Sequence, residues 1–507
     1  MRHSAITDRI IWLRTFFGTN NTGMTYYMGV DIGTTSAKAV AFNGEGIAIE
    51  KRSVSYPMFH TAPDRSEQDP DEILRAVCRS INEVATALLP ALPEMVAFSS
   101  AMHSLLAVDG AGKPLTPCII YADNRAAAIA EELSLNGKRW ALYEASGVPV
   151  HAMTPLCKLL WMRREEPNLF AAASAFIGIK EYVFSRLFGE RPVDSSIASA
   201  TGLLNSKTLD WDDDILRYVS LDRSKLARVV SPRHTLIYAV GKGDPEMVLS
   251  LPSGTPIIVG CSDGASANLA TGASGSHVMA VTIGTSGAAR MILAGAEMDG
   301  DMRTFRYHVK DNEYISGGAT NNGAVVLQWL KETLLQSEES YGQLFELAAT
   351  APPGADGLLF IPYILGERAP IWNSKARGLY FGLDIRHTKA HLVRAAMEGV
   401  IYGVYSIGRI LAEKNAITEL HATGGFARSP LWLQMLADVF NVRVLTFGEE
   451  ESAAMGAVVL GMEALGKIPG FHRQALAVYS PEATAHAIYR ERVEKFSRLY
   501  DIVKNEF

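Results

Sequence analysis

The stretch that decides the fold is Gly29-Val30-Asp31-Ile32-Gly33-Thr34-Thr35-Ser36-Ala37-Lys38. An apolar strand leads into a glycine turn followed by hydroxyl side chains, with an acid before the turn and a base after it. Gly33 lets the backbone turn tightly, and the amides and hydroxyls that follow can donate hydrogen bonds to phosphate oxygens. The pattern predicts a phosphate-binding hairpin with Asp31 facing a hydrated magnesium ion. An ordinary hairpin with a polar tip would have the same pattern.

A second stretch of the same kind lies much later in the chain, at Ala280-Val281-Thr282-Ile283-Gly284-Thr285-Ser286-Gly287-Ala288. Such repetition is typical of two related α/β halves, and we expect these halves to hold one nucleotide between them. The copies differ at one informative position, because Asp31 corresponds to Thr282. Only the first half therefore carries the acid that is predicted to face the metal.

The composition is that of a globular protein with two large domains. The chain has 507 residues, of which 48% are hydrophobic and 20% are charged. Lysine and arginine number 48 and aspartate and glutamate 54, so the net charge of -6 gives no support to nucleic acid or an anionic membrane as a partner. The 4 cysteines are widely spaced, with no CxxC pair, which favours reduced thiols in a cytoplasmic protein over a disulfide framework or a zinc site.

The segment 1–25 differs from the rest of the chain. Arg9 and Arg14 interrupt its apolar residues, so it lacks the long apolar run of a signal peptide or a membrane span. We expect a disordered or mis-started extension here, with Met24 or Met28 as a more natural start.

Asp263 follows the continuous apolar run from Pro256 to Gly260, which is typical of a strand buried on both faces. A carboxylate at the carboxyl end of such a strand, close before the second hairpin, would stand near the terminal phosphate of a nucleotide. The same residue could equally cap a helix that begins at Gly264. The spacing alone leaves both interpretations open.

Polar residues follow two further strands of the first half. Met102 and His103, flanked by serines, come after a short buried strand, and Asp123 lies in the run Tyr121-Ala122-Asp123-Asn124-Arg125 after another. Ligand-binding loops of α/β sheets occur at such strand ends, so these residues could together grip several hydroxyl groups. A histidine at a strand end could instead be a satisfied core residue.

The second half contains a double glycine, Gly424-Gly425, between a strand and a helix that begins after Ser429. A strand, two glycines and a helix N-terminus can form a surface for a flat, uncharged ring or a ribose. Glycine pairs are common in turns, so this signal has little weight by itself.

Two longer runs, Met153 to Glu165 and Gly378 to Glu398, carry a resemblance to a known family. They fit the first and second signatures of the FGGY carbohydrate kinases, the second with its constrained positions at Gly382, His391, Ala395 and Glu398. Residues 26–470 therefore resemble this family, which belongs to the actin, hexokinase and Hsp70 superfamily. The resemblance implies an α/β fold of two ribonuclease H-like domains with an ATP cleft between them.

The resemblance also implies boundaries and partners. An N-terminal sugar-binding domain would cover residues 26–262, a C-terminal nucleotide-binding domain 263–470, and a C-terminal helical tail 471–507. The ligands would be ATP, Mg2+ and a small sugar or sugar acid, with no nucleic acid and no membrane. A homodimer is a further expectation from the family.

The resemblance assigns roles residue by residue. Asp263 becomes the catalytic base, and Asp31 faces the magnesium. The positions that would bind ATP are Thr34, Thr35, Ser36, Lys38, Gly284, Thr285, Gly323, Gly425 and Ser429. The positions that would bind the sugar are Met102, His103 and Asp123.

Within the family the chain most resembles the gluconate kinases, and the runs that carry this resemblance are Met102-His103-Ser104, Tyr121-Ala122-Asp123-Asn124-Arg125, Ile177-Gly178-Ile179-Lys180-Glu181-Tyr182 and Ala198-Ser199-Ala200-Thr201-Gly202. Tyr121 departs from the family pattern, which more often has tryptophan there. Xylulose kinases share Met102-His103, so xylulose or another pentulose could be the acceptor instead. Outside the sugar kinases, the same superfamily fold could serve a protein-binding module like actin or Hsp70, or a sugar sensor that has lost the chemistry.

A sugar acid brings a carboxylate, which requires a cation or several amide donors in the site. The candidates are His103, Lys180 and Arg125, and the sequence does not rank them. Arg368 is expected to brace its own loop through Glu367 and not to touch the substrate.

Overall fold

The computed structural model of the chain describes residues 25–273, 275–447, 451–471 and 475–506. Two large sheets with their own hydrophobic cores form two lobes that follow one another along the chain. This architecture confirms the predicted fold class of two α/β domains. The extension expected over residues 1–25 lies, apart from Thr25, outside the described residues.

The first lobe is built on a six-stranded sheet with the order β5-β6-β4-β1-β2-β3. Its strands are β1 Thr25–Ile32, β2 Ser36–Phe42, β3 Ala48–Ser55, β4 Leu92–Ser100, β5 Thr235–Ile237 and β6 Pro256–Ser262. Strand β1 pairs antiparallel with β2 and parallel with β4, and β4 pairs parallel with β6. The carboxyl ends of β1, β4 and β6 therefore meet at one edge, where Asp31 and Asp263 lie.

The second lobe is built on a seven-stranded sheet with the order β9-β10-β8-β7-β11-β12-β13. Its strands are β7 Val278–Ile283, β8 Gly287–Ala294, β9 Phe305–Lys310, β10 Glu313–Thr320, β11 Glu419–Thr423, β12 Arg443–Thr446 and β13 Ala477–Tyr479. Strand β7 pairs antiparallel with β8 and parallel with β11, which repeats the pairing of β1 with β2 and β4. The predicted internal repeat is thus a repeat of hairpin and sheet.

Helices and short strand pairs surround these sheets. The short pairs are Glu67–Gln68 with Cys118–Ile119, Leu106–Val108 with Ala175–Ile177, Pro192–Asp194 with Arg228–Val230, Leu204–Asn205 with Asp210–Trp211, and Leu359–Ile361 with Leu379–Phe381. The helices of the first half are α1 Pro70–Ala87, α2 Ala127–Leu135, α3 Lys138–Ser146, α4 Pro155–Glu165, α5 Pro167–Ala172, α6 Ile179–Phe188, α7 Ser195–Ser199, α8 Asp213–Val219 and α9 Asp263–Ala270. Those of the second half are α10 Val325–Trp329, α11 Tyr341–Ala349, α12 Lys389–Ala412, α13 Pro430–Phe440, α14 Ser452–Ala464 and α15 Ala483–Val503.

Helix α14 belongs to the second half of the sequence but packs on the first lobe, against β1, β4 and α9. The approach is so close that a Cβ on Gly456 would lie 1.8 Å from the carbonyl oxygen of Ser266, and one on Gly29 2.2 Å from that of Ala454. Glycine is needed at both positions because backbone meets backbone there. This contact fixes the second half against the sheet that carries Asp31.

The end of the chain differs from the predicted helical tail. Residues 477–479 form β13, which extends the second sheet beside β12, and α15 places Tyr489, Val493 and Phe496 in the core of the second lobe. The segment is therefore part of that lobe and not a peripheral addition. Across the described ranges, every helix is too short or too polar to cross a bilayer.

Candidate active site

In both glycine hairpins, the glycine N–H bonds to a backbone carbonyl on the other side of the turn, three residues on in the first and two in the second. In the first, the N–H of Gly33 donates to the carbonyl of Ser36 at 3.0 Å, and in the second the N–H of Gly284 donates to that of Ser286 at 2.9 Å. Thr35 and Thr285 are exposed at the two tips. Both turns thus present hydroxyl residues where a phosphate could approach.

Two other glycines pack against the second hairpin. A Cβ on Gly323 would lie 2.5 Å from the carbonyl oxygen of Ser286, and one on Gly424 2.5 Å from that of Ile283. Gly425 is exposed, with open space where a side chain would be. Ser429 is buried and caps α13, since its hydroxyl accepts the N–H of Trp432 at 3.4 Å. The structure thus brings Gly323 and Gly425 to the same hairpin.

Asp31 lies near the carboxyl end of β1, where its Oδ1 accepts a hydrogen bond from the Ser99 hydroxyl at 3.0 Å. Burial, with a contribution from the negative charge of Asp263, raises the pKa of the Asp31 carboxyl to about 6. Lys38 stands opposite Asp31 in the hairpin and forms an ion pair with Glu451, the residue before α14. Lys38, the basic residue of the first hairpin, is therefore already in an ion pair.

Asp263 is the first residue of α9, one position after the end of β6. The cap of this helix is Ser262, whose hydroxyl accepts the N–H of Ala265, so the capping role considered for Asp263 is taken by its neighbour. The carboxylate of Asp263 accepts the N–H of Gly264 at 2.6 Å. Burial raises its pKa, and the positive charge of Arg290 opposes that rise.

A cavity of about 240 Å³ lies in front of Asp263 and is bounded by both lobes. The first half contributes Thr34, Ala101, Met102, His103, Tyr121, Met153 and Asp263 to its lining. The second half contributes Ser286, Arg290, Phe305, Tyr307, Ala319, Arg368 and Trp372. Each hairpin thus supplies one residue to a pocket that also holds the predicted base.

Residues 26–270 match the N-terminal domain of the FGGY family of carbohydrate kinases, and residues 279–465 match the C-terminal domain. The chain belongs to the FGGY family of carbohydrate kinases. This membership was predicted from the two signature runs and is confirmed.

Several relatives align over nearly the whole chain. A gluconokinase from Bacillus subtilis (strain 168) is 38% identical over 501 residues, covering 95% of this chain and 97% of the relative, and one from Bacillus licheniformis is 39% identical with the same coverage. A crystal structure of gluconate kinase from Lactobacillus acidophilus superposes with a TM-score of 0.91 at 33% identity, covering 95% and 98% of the two chains. A ligand-bound xylulose kinase from Lactobacillus acidophilus has the same TM-score and identity, with coverage of 95% and 99%.

In this FGGY kinase, Met102 and His103 line the cavity and Asp123 does not. Asp123 is fully buried and accepts hydrogen bonds from Arg125 Nε at 2.8 Å and from the N–H of Ser66 at 2.8 Å. Arg125 also pairs with Glu67. The carboxylate of Asp123 therefore holds together the loop beside the cavity.

Two of the three candidates for a carboxylate partner are committed elsewhere in this kinase. Arg125 is held by Asp123 and Glu67, and the ammonium of Lys180 lies 2.7 Å from the buried carboxylate of Asp194. Buried ion pairs of this kind are costly to break, because each partner would be left uncompensated. Of the three candidates, His103 alone lines the cavity.

His103 has a left-handed backbone, with φ at 67°, which is uncommon for a residue with a side chain. Its carbonyl accepts a hydrogen bond at 2.6 Å from Nζ of Lys158, which is fully buried and also donates to the carbonyl of Ile120 at 2.8 Å. Burial lowers the pKa of Lys158 to about 7. Burial, with the charges of Lys158 and Arg368, lowers the pKa of the His103 imidazole to about 3, so the ring is neutral.

The expectation for Arg368 is wrong in its detail. Glu367 accepts the backbone N–H of Arg368 at 2.7 Å, while the guanidinium donates to the carbonyl of Thr320 at 3.2 Å and extends into the cavity. It also lies over the Tyr121 ring, with Cζ 5.7 Å from the ring centroid. The carboxylate of Glu367 instead binds the backbone N–H of Asn321 and the side chains of Thr320 and Asn322.

Sequence reasoning missed Arg290, Tyr307 and Trp372 as lining residues. Arg290 carried a usable signal, because it is the one charged residue in the apolar strand Gly287–Ala294. A charge in such a strand needs a partner or a ligand. Tyr307 and Trp372 carried no comparable signal, since buried aromatic residues are common in any core.

Proposed function

We propose that the protein transfers the γ-phosphate of ATP to the primary hydroxyl of D-gluconate, giving 6-phospho-D-gluconate. The observation that carries the proposal is the position of Asp263, whose carboxylate opens onto a cavity to which both glycine hairpins contribute. The names of the two Bacillus relatives and of one Lactobacillus acidophilus structure support gluconate as the acceptor.

In the proposed mechanism, Asp263 accepts the proton of the gluconate hydroxyl while that oxygen bonds to the γ-phosphorus. The bond from phosphorus to the bridging oxygen of ADP breaks, and ADP leaves with its electron pair. General-base assistance of this kind is worth about 100- to 10,000-fold in rate. Burial raises the pKa of Asp263 and so makes it a better proton acceptor, while the charge of Arg290 opposes that rise.

The nucleotide would lie between the two hairpins. We assign its phosphates to Thr34, Thr35, Ser36, Gly284 and Thr285, and its adenosine part to Gly323, Gly425 and Ser429. The convergence of Gly323 and Gly424 on the second hairpin supports a single site for these groups. Lys38 would contribute its charge to the first phosphate loop from its position beside Glu451.

Asp31 fits a role in holding magnesium. Its carboxyl lies close enough to Asp263 for that charge to raise its pKa, so a cation between nucleotide and protein would relieve the repulsion. Magnesium is usually held by one or two carboxylates together with substrate phosphates. Among the described residues, no group of three or more His, Cys, Asp or Glu side chains could hold a metal ion. A magnesium ion that is bound mainly by the nucleotide phosphates does not need such a group. Bound magnesium would neutralise charge that develops on the phosphates.

For the acceptor we assign Met102 and His103 to the wall of the site. The neutral ring of His103 has Nδ1 free to form one hydrogen bond with a hydroxyl, and the position of His103 is fixed through its own carbonyl by Lys158. All 4 cysteines are free and buried, which supports a reducing compartment, and we place the protein in the cytoplasm. The homodimer stays a prediction.

A xylulose kinase is the second candidate, because a ligand-bound xylulose kinase matches the structure as well as the gluconate kinase does. A coupled assay of ADP release, run on the purified protein with gluconate, xylulose, ribulose and glycerol, separates the two. We expect kcat/KM for gluconate to exceed that for each other acceptor by about tenfold or more. Selective turnover of xylulose would refute gluconate as the substrate.

A further inference from the structure

The cavity in front of Asp263 contains polar atoms that have no partner in the part of the chain that the structure describes. They are Nε of Arg290, Nε of Arg368, Nδ1 of His103 and the hydroxyl of Tyr307. Buried polar atoms in native proteins are nearly always hydrogen-bonded, and those without a partner need an explanation. Because all of these atoms belong to residues that line one pocket, a polar ligand is the simplest explanation.

The charges in the pocket are unevenly balanced. Both guanidinium groups stay protonated, although burial lowers the pKa of each. Arg290 lies beside Asp263, whose negative charge offsets it. The acid next to Arg368 is Glu367, whose carboxylate accepts hydrogen bonds from Thr320, Asn321, Asn322 and the backbone N–H of Arg368, and not from its guanidinium. Arg368 therefore brings positive charge that the protein does not fully neutralise.

The two arginines also differ in their positions along the pocket. Arg290 is the guanidinium whose charge acts on Asp263, at the end where the phosphoryl group would be transferred. Arg368 lies over Tyr121, donates to Thr320, and acts through its charge on His103 and His151. Arg290 is thus the guanidinium beside Asp263, with its Nε and Cζ 3.5 Å from where a Cβ on Gly264 would lie, and Arg368 lines the pocket beside Tyr121 and Thr320.

A sugar acid matches this arrangement of one base and a separate guanidinium. Its primary hydroxyl, at one end of the carbon chain, must reach Asp263, so its carboxylate at the other end points away from the base. A neutral pentulose would leave the charge of Arg368 unmatched, and an unmatched buried charge is costly. A carboxylate would instead form a charge-assisted hydrogen bond with the guanidinium.

We propose that Arg368 binds the carboxylate of the substrate and is the residue that selects a sugar acid over a neutral sugar, with Tyr307 and His103 as neutral hydrogen-bonding neighbours. This inference rests on the proposed gluconate kinase activity. It replaces the candidates Lys180 and Arg125, both of which are held in internal ion pairs. Arg290 stays with Asp263 and is not part of the carboxylate site.

The test compares the wild type with Arg368→Gln and Arg368→Lys. Gluconate binding is measured by calorimetry without nucleotide, and kcat/KM is measured for gluconate and for D-glucitol, which carries a neutral CH2OH in place of the carboxylate. We expect Arg368→Gln to weaken gluconate binding by about 10- to 100-fold, as for loss of a charged hydrogen bond. Its kcat/KM for D-glucitol should change by less than about threefold, because that acceptor has no carboxylate to lose. Arg368→Lys should recover part of the gluconate affinity.

Arg377→Gln is the matched control, since Arg377 is exposed and donates only to backbone carbonyls of its own loop. Nucleotide binding and the thermal transition show whether each variant is folded. An Arg368→Gln protein that binds gluconate as the wild type does, or that loses gluconate and D-glucitol activity equally, overturns the inference. A wild type that binds no gluconate overturns the proposed function instead, so the two failures are distinct.

Discussion

At the scale of single residues, the proposed chemistry depends on one carboxylate, that of Asp263. Asp263→Asn keeps the shape of the side chain but removes the proton acceptor. We expect kcat for gluconate to fall by about 100- to 10,000-fold, because general-base assistance is lost. The affinity for ATP should stay within about threefold of the wild type, since the assigned phosphate contacts come from the hairpins. Steady-state kinetics and nucleotide titration measure the two quantities.

The control for this substitution is Asp214→Asn, because Asp214 lies exposed on α8, where it pairs with Arg217. That variant should keep the wild-type rate. An Asp263→Asn enzyme that also turns over at the wild-type rate would show that another group, or no group, takes the proton.

The sequence located some of these residues and not others, for a physical reason. Asp263 and His103 follow buried strands, and the ends of parallel strands meet at one edge whatever the rest of the fold does. Arg368 could not be assigned in this way, because its guanidinium reaches the cavity only through the packing of the second lobe against the first. Arg125 and Lys180 were candidates for binding the substrate carboxylate because the sequence does not show the buried carboxylates with which they form ion pairs.

At the scale of elements, helix α14 connects the two halves through a backbone contact at Gly456. Alanine normally favours a helix over glycine by about 1 kcal/mol. Here the added Cβ would lie 1.8 Å from the carbonyl oxygen of Ser266. We expect Gly456→Ala to destabilise the protein by about 3 kcal/mol or more, the upper range for overpacking. The shift of the first unfolding transition in a calorimetric scan measures the effect.

Gly44→Ala is the matched control, since a Cβ at Gly44 in the turn between β2 and β3 would meet nothing within 4 Å. Its transition should stay close to that of the wild type. Equal stability of Gly456→Ala and the wild type would mean that α14 does not sit this close to α9.

Element prediction succeeded where the pattern was local and failed where the partner was distant. Helix α1 could be predicted because Asp69 caps it, Pro70 begins it, and Ile73, Val77 and Ile81 recur on one buried face. Strand β13 could not, because Ala477–Tyr479 is too short to show a period and is a strand only through its pairing with β12.

At the scale of the whole molecule, the two lobes also meet where Ser199 and Ser206 of the first half contact β9 and β10 of the second sheet. The Tyr314 hydroxyl donates to the carbonyl of Ser206 at 2.8 Å, and the N–H of His308 donates to the Ser199 hydroxyl at 2.9 Å. The repeated hairpins predicted two lobes, but their spacing did not predict this contact, which is separate from the contact made by α14. It lies next to Phe305 and Tyr307, so it positions one wall of the cavity.

Because the cavity takes its lining from both lobes, a bound acceptor and nucleotide should draw the lobes together. An open cleft would also let water compete with gluconate for the γ-phosphate. We expect the radius of gyration, measured by small-angle X-ray scattering, to decrease when gluconate and a non-hydrolysable ATP analogue are both present. The same analogue with glycerol is the control, because glycerol has no carboxylate for Arg368 to bind and should produce a smaller decrease. An unchanged radius with gluconate would mean that the lobes already stand at their catalytic separation, and that water is excluded by the bound substrate and not by closure.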